Sequence, residues 1–462
     1  MKNSLTKKLL LSLSCGVLSS VVLAQNPIIQ THYTADPAPM VHNDTLFLYV
    51  GCDEKDAPDN AYLMREYRLY TTTDMVNWTD RGTPLRTSAF QWSSGDASAA
   101  QCIERNGKFY WYISSQNNRI PGSSIGVAVA DSPYGPFRDA LGHALVTNDM
   151  TTQAKHGWDD LDPTAYIDRD GQAWLYWGNG ICYRARLKEN MVELDGAIEA
   201  IKRDNPSFSG GFTEGPWLYR RNDFCYLIYA AGFPESIHYS MAASPGGKWT
   251  AKGVLMPTEK GSNTNHPGMI DYKGHSYFFY HNDALHGGHS YCRSVCVEEF
   301  EYRADGTIPT LHMTDEGVKK GLATLNPYRR TEAETMAWSK GISTEALTGH
   351  NLCVTDIHQD DYIKVREVDF GKVGPESFSA KASSRYHGGN IELRLDGLDG
   401  ELIGTLRIPY TGEWDLWQEV TTAVKAATGI HDLYLVFKGR QPHELFRLDH
   451  WQFKRPDAAQ AR

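Results

Sequence analysis

Turn residues followed by short aromatic runs recur through the first two-thirds of the chain. Asn43-Asp44 precedes Leu46-Phe47-Leu48-Tyr49, and Asn106-Gly107 precedes Phe109-Tyr110-Trp111-Tyr112. Asp170-Gly171 leads into Trp174-Leu175-Tyr176-Trp177, and Asn222-Asp223 into Phe224-Cys225-Tyr226-Leu227-Ile228-Tyr229. The last copy is Lys273-Gly274 before Tyr277-Phe278-Phe279-Tyr280. Such dipeptides tolerate the positive φ of tight hairpins, and the aromatic and β-branched residues after them favour strands. A spacing of roughly 50–64 residues leaves room for a four-stranded sheet with variable loops. The pattern predicts an all-β chain whose first part, residues 26–315, is a five-bladed β-propeller. An ordinary all-β domain with five hairpins is the alternative.

The pattern changes after residue 300. Residues 316–328 read as a linker, and residues 329–454 as a second all-β unit with compact strands at Ile391–Leu395 and Leu433–Phe437. About 125 residues of this kind suit a β-sandwich, here expected to be of jelly-roll type. Residues 455–462 read as a tail. At the other end, Lys2, Lys7 and Lys8 precede the apolar run Leu9–Leu23 and the small-residue site at Ala24. Residues 1–24 therefore read as a signal peptide, too short for a confident membrane span. That predicts a secreted or periplasmic protein, with no membrane insertion once the signal is cut.

Composition narrows the partners. With 41% apolar residues the chain can build cores, and a formal charge of −10 argues against general nucleic-acid binding. Cutting after Ala24 removes three lysines and takes the charge to −13. Seven cysteines then remain (Cys52, Cys102, Cys182, Cys225, Cys292, Cys296 and Cys353), an odd and sparse set that reads as core residues rather than a disulfide framework. Oligomeric state is not legible from these features.

Four prolines stand just before strand-like runs, each beside a polar residue: Asp36-Pro37, Asp162-Pro163, Glu214-Gly215-Pro216 and His266-Pro267. In a propeller such entries converge at one end of the axis. Taken singly, an Asp before Pro also fits a turn, and a Glu before Gly-Pro a surface. Together, Ala35-Asp36-Pro37, Asp162-Pro163-Thr164 and Glu214-Gly215-Pro216-Trp217 resemble the signature blocks of glycoside hydrolase family 43. Asn265-His266-Pro267-Gly268 and Arg293-Ser294-Val295-Cys296 are similar to the branch containing arabinoxylan-debranching enzymes and β-xylosidases.

The resemblance implies an inverting glycosidase with Asp36 as general base, Glu214 as general acid, and Asp162 tuning and orienting the acid. The base must stay ionised to draw a proton from water, while the acid must start protonated. A neighbouring carboxylate would raise the acid's pKa. An inverting pair stands about 6.5–9.5 Å apart, leaving room for water. The implied substrates are plant cell-wall polysaccharides or oligosaccharides. Terminal α-L-arabinofuranosyl groups of arabinoxylan are expected to leave, with β-D-xylosyl groups as the accompanying candidate. Arabinan degradation and a non-catalytic glycan-binding role are the alternatives.

For sugar contacts, Trp92, Trp158, Trp177, Trp217 and Phe233 offer flat apolar faces, and Trp92 and Phe233 occur in loop-like contexts. Arg293 is a candidate substrate donor, or else the partner of a structural carboxylate. The resemblance places His266 near the axis, where it would organise the substrate-binding pocket floor or hold calcium through water, since calcium prefers oxygen ligands. Ser98 stands where close relatives often carry Trp, so either Trp92 fills that space from another direction or the subsite is wider.

The C-terminal unit resembles carbohydrate-binding module family 6 in Arg330-Thr331-Glu332-Ala333-Glu334, Gly388–Leu395, Gly429–Gly439 and Leu448-Asp449-His450-Trp451. Glu332, Glu334 and Asp449 would then be structural calcium ligands, and Trp414 a sugar-stacking face. The family's partner Tyr is missing from Cys353–Ile357, so Trp414 is expected to lack the second side of a clamp.

Overall fold

The computed structural model describes residues 25–456 apart from 59–60, 155 and 349–350. The expected signal peptide and most of the expected tail lie outside these residues.

The chain is all-β, but the expected five-bladed β-propeller is corrected. Five separate sheets follow one another between residues 34 and 300, each a run of antiparallel strands with two open edges. No sheet closes on itself, and the arrangement is propeller-like only. The first sheet runs through Thr34–His42, Thr45–Asp53, Met64–Thr72 and Trp78–Asp80, with Leu85–Arg86 on its third strand and Thr335–Met336 from the C-terminal part on its edge. The second, third and fourth have four strands each, opening with Ser93–Arg105, Thr164–Ile167 and Glu214–Arg221. The fifth has three: Gly268–Tyr272, His275–Asn282 and Ser294–Phe300. The repeat specified hairpins, and a hairpin fixes its own ladder without fixing how the outer strand of one sheet meets the next.

The aromatic runs form second strands. Tyr49, Trp111, Trp177, Tyr229 and Tyr280 are all buried, because a sheet sandwiched between neighbours is apolar on both faces. The opening strands pack closely near the centre. A Cβ on Gly268 would come 2.3 Å from the Pro37 carbonyl oxygen, so only glycine fits there.

The C-terminal part holds a six-stranded and a five-stranded sheet, sandwich-like, around a core that includes Phe378, Leu393, Leu435, Trp451 and Phe453. It is tied to the first sheet by Asp80, which accepts from Arg68 and from Thr344 Oγ1, each at 2.7 Å. Arg366 adds hydrogen bonds to the Val318 and Lys319 carbonyls. The seven described cysteines form no disulfide, and six of them are buried. No helix among the described residues is long and apolar enough to cross a membrane.

Candidate active site

The opening strands of all five sheets begin around one cavity of ≈ 470 Å³. Asp36, Ala97, Ser98, Asp162, Glu214 and His266 all line it, each at or just before such a strand. Their convergence has a local cause. Asp36 and Pro37 fall in a register shift between Ala35 and Ala38, and Gly215 and Pro216 in one between Glu214 and Trp217. A bulge re-aims a side chain, and proline is tolerated there because it has no ladder N–H to lose. Asp36 and Asp162 have φ of 55° and 57°, left-handed values unusual for residues other than glycine.

Asp36 is 5% exposed. Its backbone N–H donates to His281 Nδ1 at 3.2 Å, while His281 Nε2 donates to the Thr264 carbonyl at 3.0 Å. That pair of bonds makes the ring neutral and protonated on Nε2, as its burial also favours. Arg293 Nη1 donates to Asp36 Oδ1 at 3.2 Å and Nη2 to Asp53 Oδ1 at 2.8 Å, with its Cζ 4.9 Å from the Tyr62 ring centroid. Burial pushes the Asp36 carboxyl up, and the guanidinium opposes it. The Asp53 side chain has 0% exposure, so losing Arg293 would strand a buried charge at a cost of roughly 3–5 kcal/mol. Arg293 therefore serves the carboxylates while also lining the cavity.

Asp162 Oδ2 accepts the Gly215 N–H at 3.1 Å, which fixes the backbone directly after Glu214. Burial, then the charges of Glu214 and Asp36, hold its carboxyl well above the usual range. Glu214 Oε2 accepts from Asn179 Nδ2. Burial raises the Glu214 carboxyl; Asn179 pulls it down, and the Asp36 charge adds to the rise. His266 is buried 4.0 Å from Asp162 Oδ2, and burial lowers it to about 3, so it is neutral.

The aromatic candidates separate. Phe233 and Trp158 line the cavity, 68% and 55% exposed. Trp92 does not line it. The 3-10 turn Thr87–Ala89 precedes it, and the ring is buried against Phe90 and Gly126. Trp177 and Trp217 are also core residues. Ala97, Ser98 and Ala99 leave the adjoining wall without a ring. Sequence reasoning passed over Tyr62, Asn179, Glu235, Thr264 and His281, which all line the cavity. His281 had left a trace, as a polar residue ending the aromatic run Tyr277–Tyr280. The others sit in loops or at strand ends, where a polar residue is ordinary.

In the C-terminal part, Glu332, Asp449 and His450 bring potential ligand atoms within 4.8 Å of one another, the one such cluster among the described residues. Glu334 is corrected out of the set. Its side chain turns toward the first sheet, lining a small cavity with Asp80 and Trp78, where burial pushes its carboxyl up to about 9. The strand Thr331–Glu332 ends at Glu332, and the turn at Ala333-Glu334 that follows carries the Glu334 side chain away from it. Lys381 Nζ lies 2.9 Å and Arg330 Nη2 3.5 Å from Asp449. Trp414 meets Tyr386 edge-on at 5.9 Å, and Tyr386 stacks on His443 at 4.4 Å, so the aromatic neighbour absent from 353–357 comes from another loop.

Residues 24–308 match glycosyl hydrolases family 43, and residues 332–455 match carbohydrate binding module family 6. The chain is 32% identical over 483 residues to an arabinoxylan arabinofuranohydrolase of Bacillus subtilis, covering 93% of this chain and 92% of that protein. A second arabinoxylan arabinofuranohydrolase, from Paenibacillus polymyxa, is 32% identical over 478 residues, 93% of this chain and 74% of its own length. A crystal structure of the Bacillus subtilis family 43 arabinoxylan arabinofuranohydrolase, in complex with cellotetraose, superposes with a TM-score of 0.81 at 30% identity, covering 94% of this chain and 98% of that one. The chain thus belongs to glycosyl hydrolase family 43, a glycoside hydrolase carrying a C-terminal family 6 carbohydrate binding module.

Proposed function

We propose that the protein is an exo-acting, inverting hydrolase that releases terminal arabinofuranosyl and xylosyl groups from arabinoxylan or its oligosaccharides. The observation that carries this reading is the meeting of Asp36, Asp162 and Glu214, from three sheets, around one cavity of small-molecule size. The names of the relatives that align over 93% of the chain support the substrate class. Asp36, kept near a guanidinium, takes a proton from water as the water oxygen bonds to the anomeric carbon. Glu214, part-buried and with its carboxyl raised by desolvation, gives its proton to the departing glycosidic oxygen. Asp162 holds the turn behind Glu214 through Gly215.

Product analysis on arabinoxylan, arabinan and xylo-oligosaccharides, with the first-formed anomer followed by NMR, tests this. Monosaccharide release with inverted configuration is expected. Internal cleavage would remove the exo reading, and retained configuration the single displacement.

We further propose a structural calcium ion at Glu332 and Asp449. Both offer hard oxygens, Asp449 is buried, and Lys381 Nζ stands 2.9 Å from its Oδ2 as the cation that the ion would replace. Imidazole is a poor calcium ligand, which leaves His450 beside the site. Calcium is expected to raise the thermal midpoint relative to chelator-treated protein. Equal midpoints would eliminate the ion.

A further inference from the structure

A fourth carboxyl group stands beside Glu214. In the fourth sheet Glu214 pairs with Ala230, and Ala230 pairs with Ile237 on the next strand. Paired residues share a face of a sheet, and so do residues two apart on one strand. Glu235, two before Ile237, therefore points the same way as Glu214. Only the methyl group of Ala230 stands in the row between their strands. Both glutamates line the cavity, and Glu235 is 3% exposed. Its Oε2 accepts the Asn265 N–H at 2.8 Å, while Oε1 is buried with no N–H or hydroxyl donor. That leaves Glu235 Oε1 as a buried, unpartnered carboxyl oxygen on the sheet face it shares with Glu214. Ionised carboxylates have acceptors only, so the two groups can bond to each other only through a proton.

We propose that Glu235 is a positioning residue that shares one proton with Glu214, so that the one-proton carboxyl pair is the acid that serves the leaving glycosidic oxygen. This rests on Glu214 being the acid. Asn179 donates to Glu214 Oε2, which leaves Oε1 to carry the proton in the reactive arrangement, with Glu235 as the charged partner. The other groups facing the pair offer no second positive charge. Asp36 and Asp162 are acidic, His266 and His281 are neutral, Asn265, Thr264 and Tyr62 carry no charge, and Arg293 is engaged by Asp36 and Asp53. Two negative charges here would be uncompensated and buried, so the pair retains a proton where a lone carboxyl has lost it. Burial, then the Glu214 charge, holds Glu235 well above the ordinary range. In the chemical step the Glu214 O–H bond breaks as its proton joins the glycosidic oxygen, and the C–O bonding electrons leave with that oxygen. Water bonds to the anomeric carbon and gives its proton to Asp36. Solvent then reprotonates the pair and deprotonates Asp36.

The test is Glu235→Gln in the full chain, with kcat/KM followed against pH on an unactivated arabinoxylan oligosaccharide. The neutral amide removes the charge that keeps the proton on Glu214. The alkaline limb is therefore expected to move about one pH unit or more to lower pH. An unmoved limb, whatever the loss of rate, overturns the proposal. If the variant does not fold, carbon-13 NMR of labelled glutamate carboxyls in the wild-type protein gives the same information. Two coupled steps spread over more than about two pH units are expected, and two ordinary independent titrations overturn it. Failure of Glu214 as the acid would show separately, as a Glu214→Gln variant equally impaired on activated and unactivated substrates.

Discussion

Replacing Glu214 by Gln is expected to lower kcat on unactivated arabinoxylan oligosaccharides by about 10²–10⁴-fold while sparing aryl glycosides with acidic leaving groups. The amide keeps the shape and still meets Asn179 through its carbonyl oxygen, so the fold should persist and the circular dichroism spectrum should match wild type. What disappears is the transferable proton. An alkoxide-like leaving group needs that proton in the transition state, whereas a nitrophenolate departs without it. The same variant should lose the alkaline limb of the pH profile. That limb marks Glu214 giving up its proton as pH rises through a value that burial has lifted above the ordinary 4.5. Equal losses on both kinds of substrate, or a persistent alkaline limb, would remove Glu214 from the acid role.

Asp36→Asn is the second large effect, with an expected loss of about 10²–10⁴-fold that does not depend on the leaving group. Water must be deprotonated whichever group departs, and an amide cannot accept that proton. The pH signature is opposite in sense to that of Glu214. Wild-type activity is lost as pH falls through the Asp36 pKa, which burial sets above the ordinary 3.8 despite Arg293, and the variant should lack this acid limb. Added azide offers a further check. An anion that needs no deprotonation can take the place of water, and recovery of rate with a glycosyl azide of inverted configuration is expected. A variant as selective among leaving groups as Glu214→Gln would contradict the base assignment.

Much of this site was visible in the linear chain because bulges leave a written mark. Asp36-Pro37, Asp162-Pro163 and Gly215-Pro216 announce strand entries through a residue that cannot join a ladder and that restricts the residue before it. The acids beside them were accessible to the same reasoning. Glu235 was not, although it too adjoins a proline. Its importance comes from pairing with Gly232, two residues along from the Ala230 that pairs with Glu214, a relation set by register between strands that no local motif records. Trp92 shows the converse error. A tryptophan among Ser, Gly and Asp looks like a surface ring, yet a single 3-10 turn folds it under the second sheet and leaves Trp158 to face the cavity.

Sequence alone determined the all-β character, the change of pattern near residue 300, and which side chains have the chemistry for hydrolysis, because strand propensity, turn residues and carboxyl groups are properties of short segments. The tertiary structure decided that the sheets stay open, that Glu334 leaves the acidic cluster, that Arg293 binds two aspartates, and that four carboxyl groups crowd one cavity. Those outcomes depend on packing between segments far apart in the chain. Burial then shifts the charge states that the sequence cannot assign, since a carboxyl group's proton affinity is set by what surrounds it.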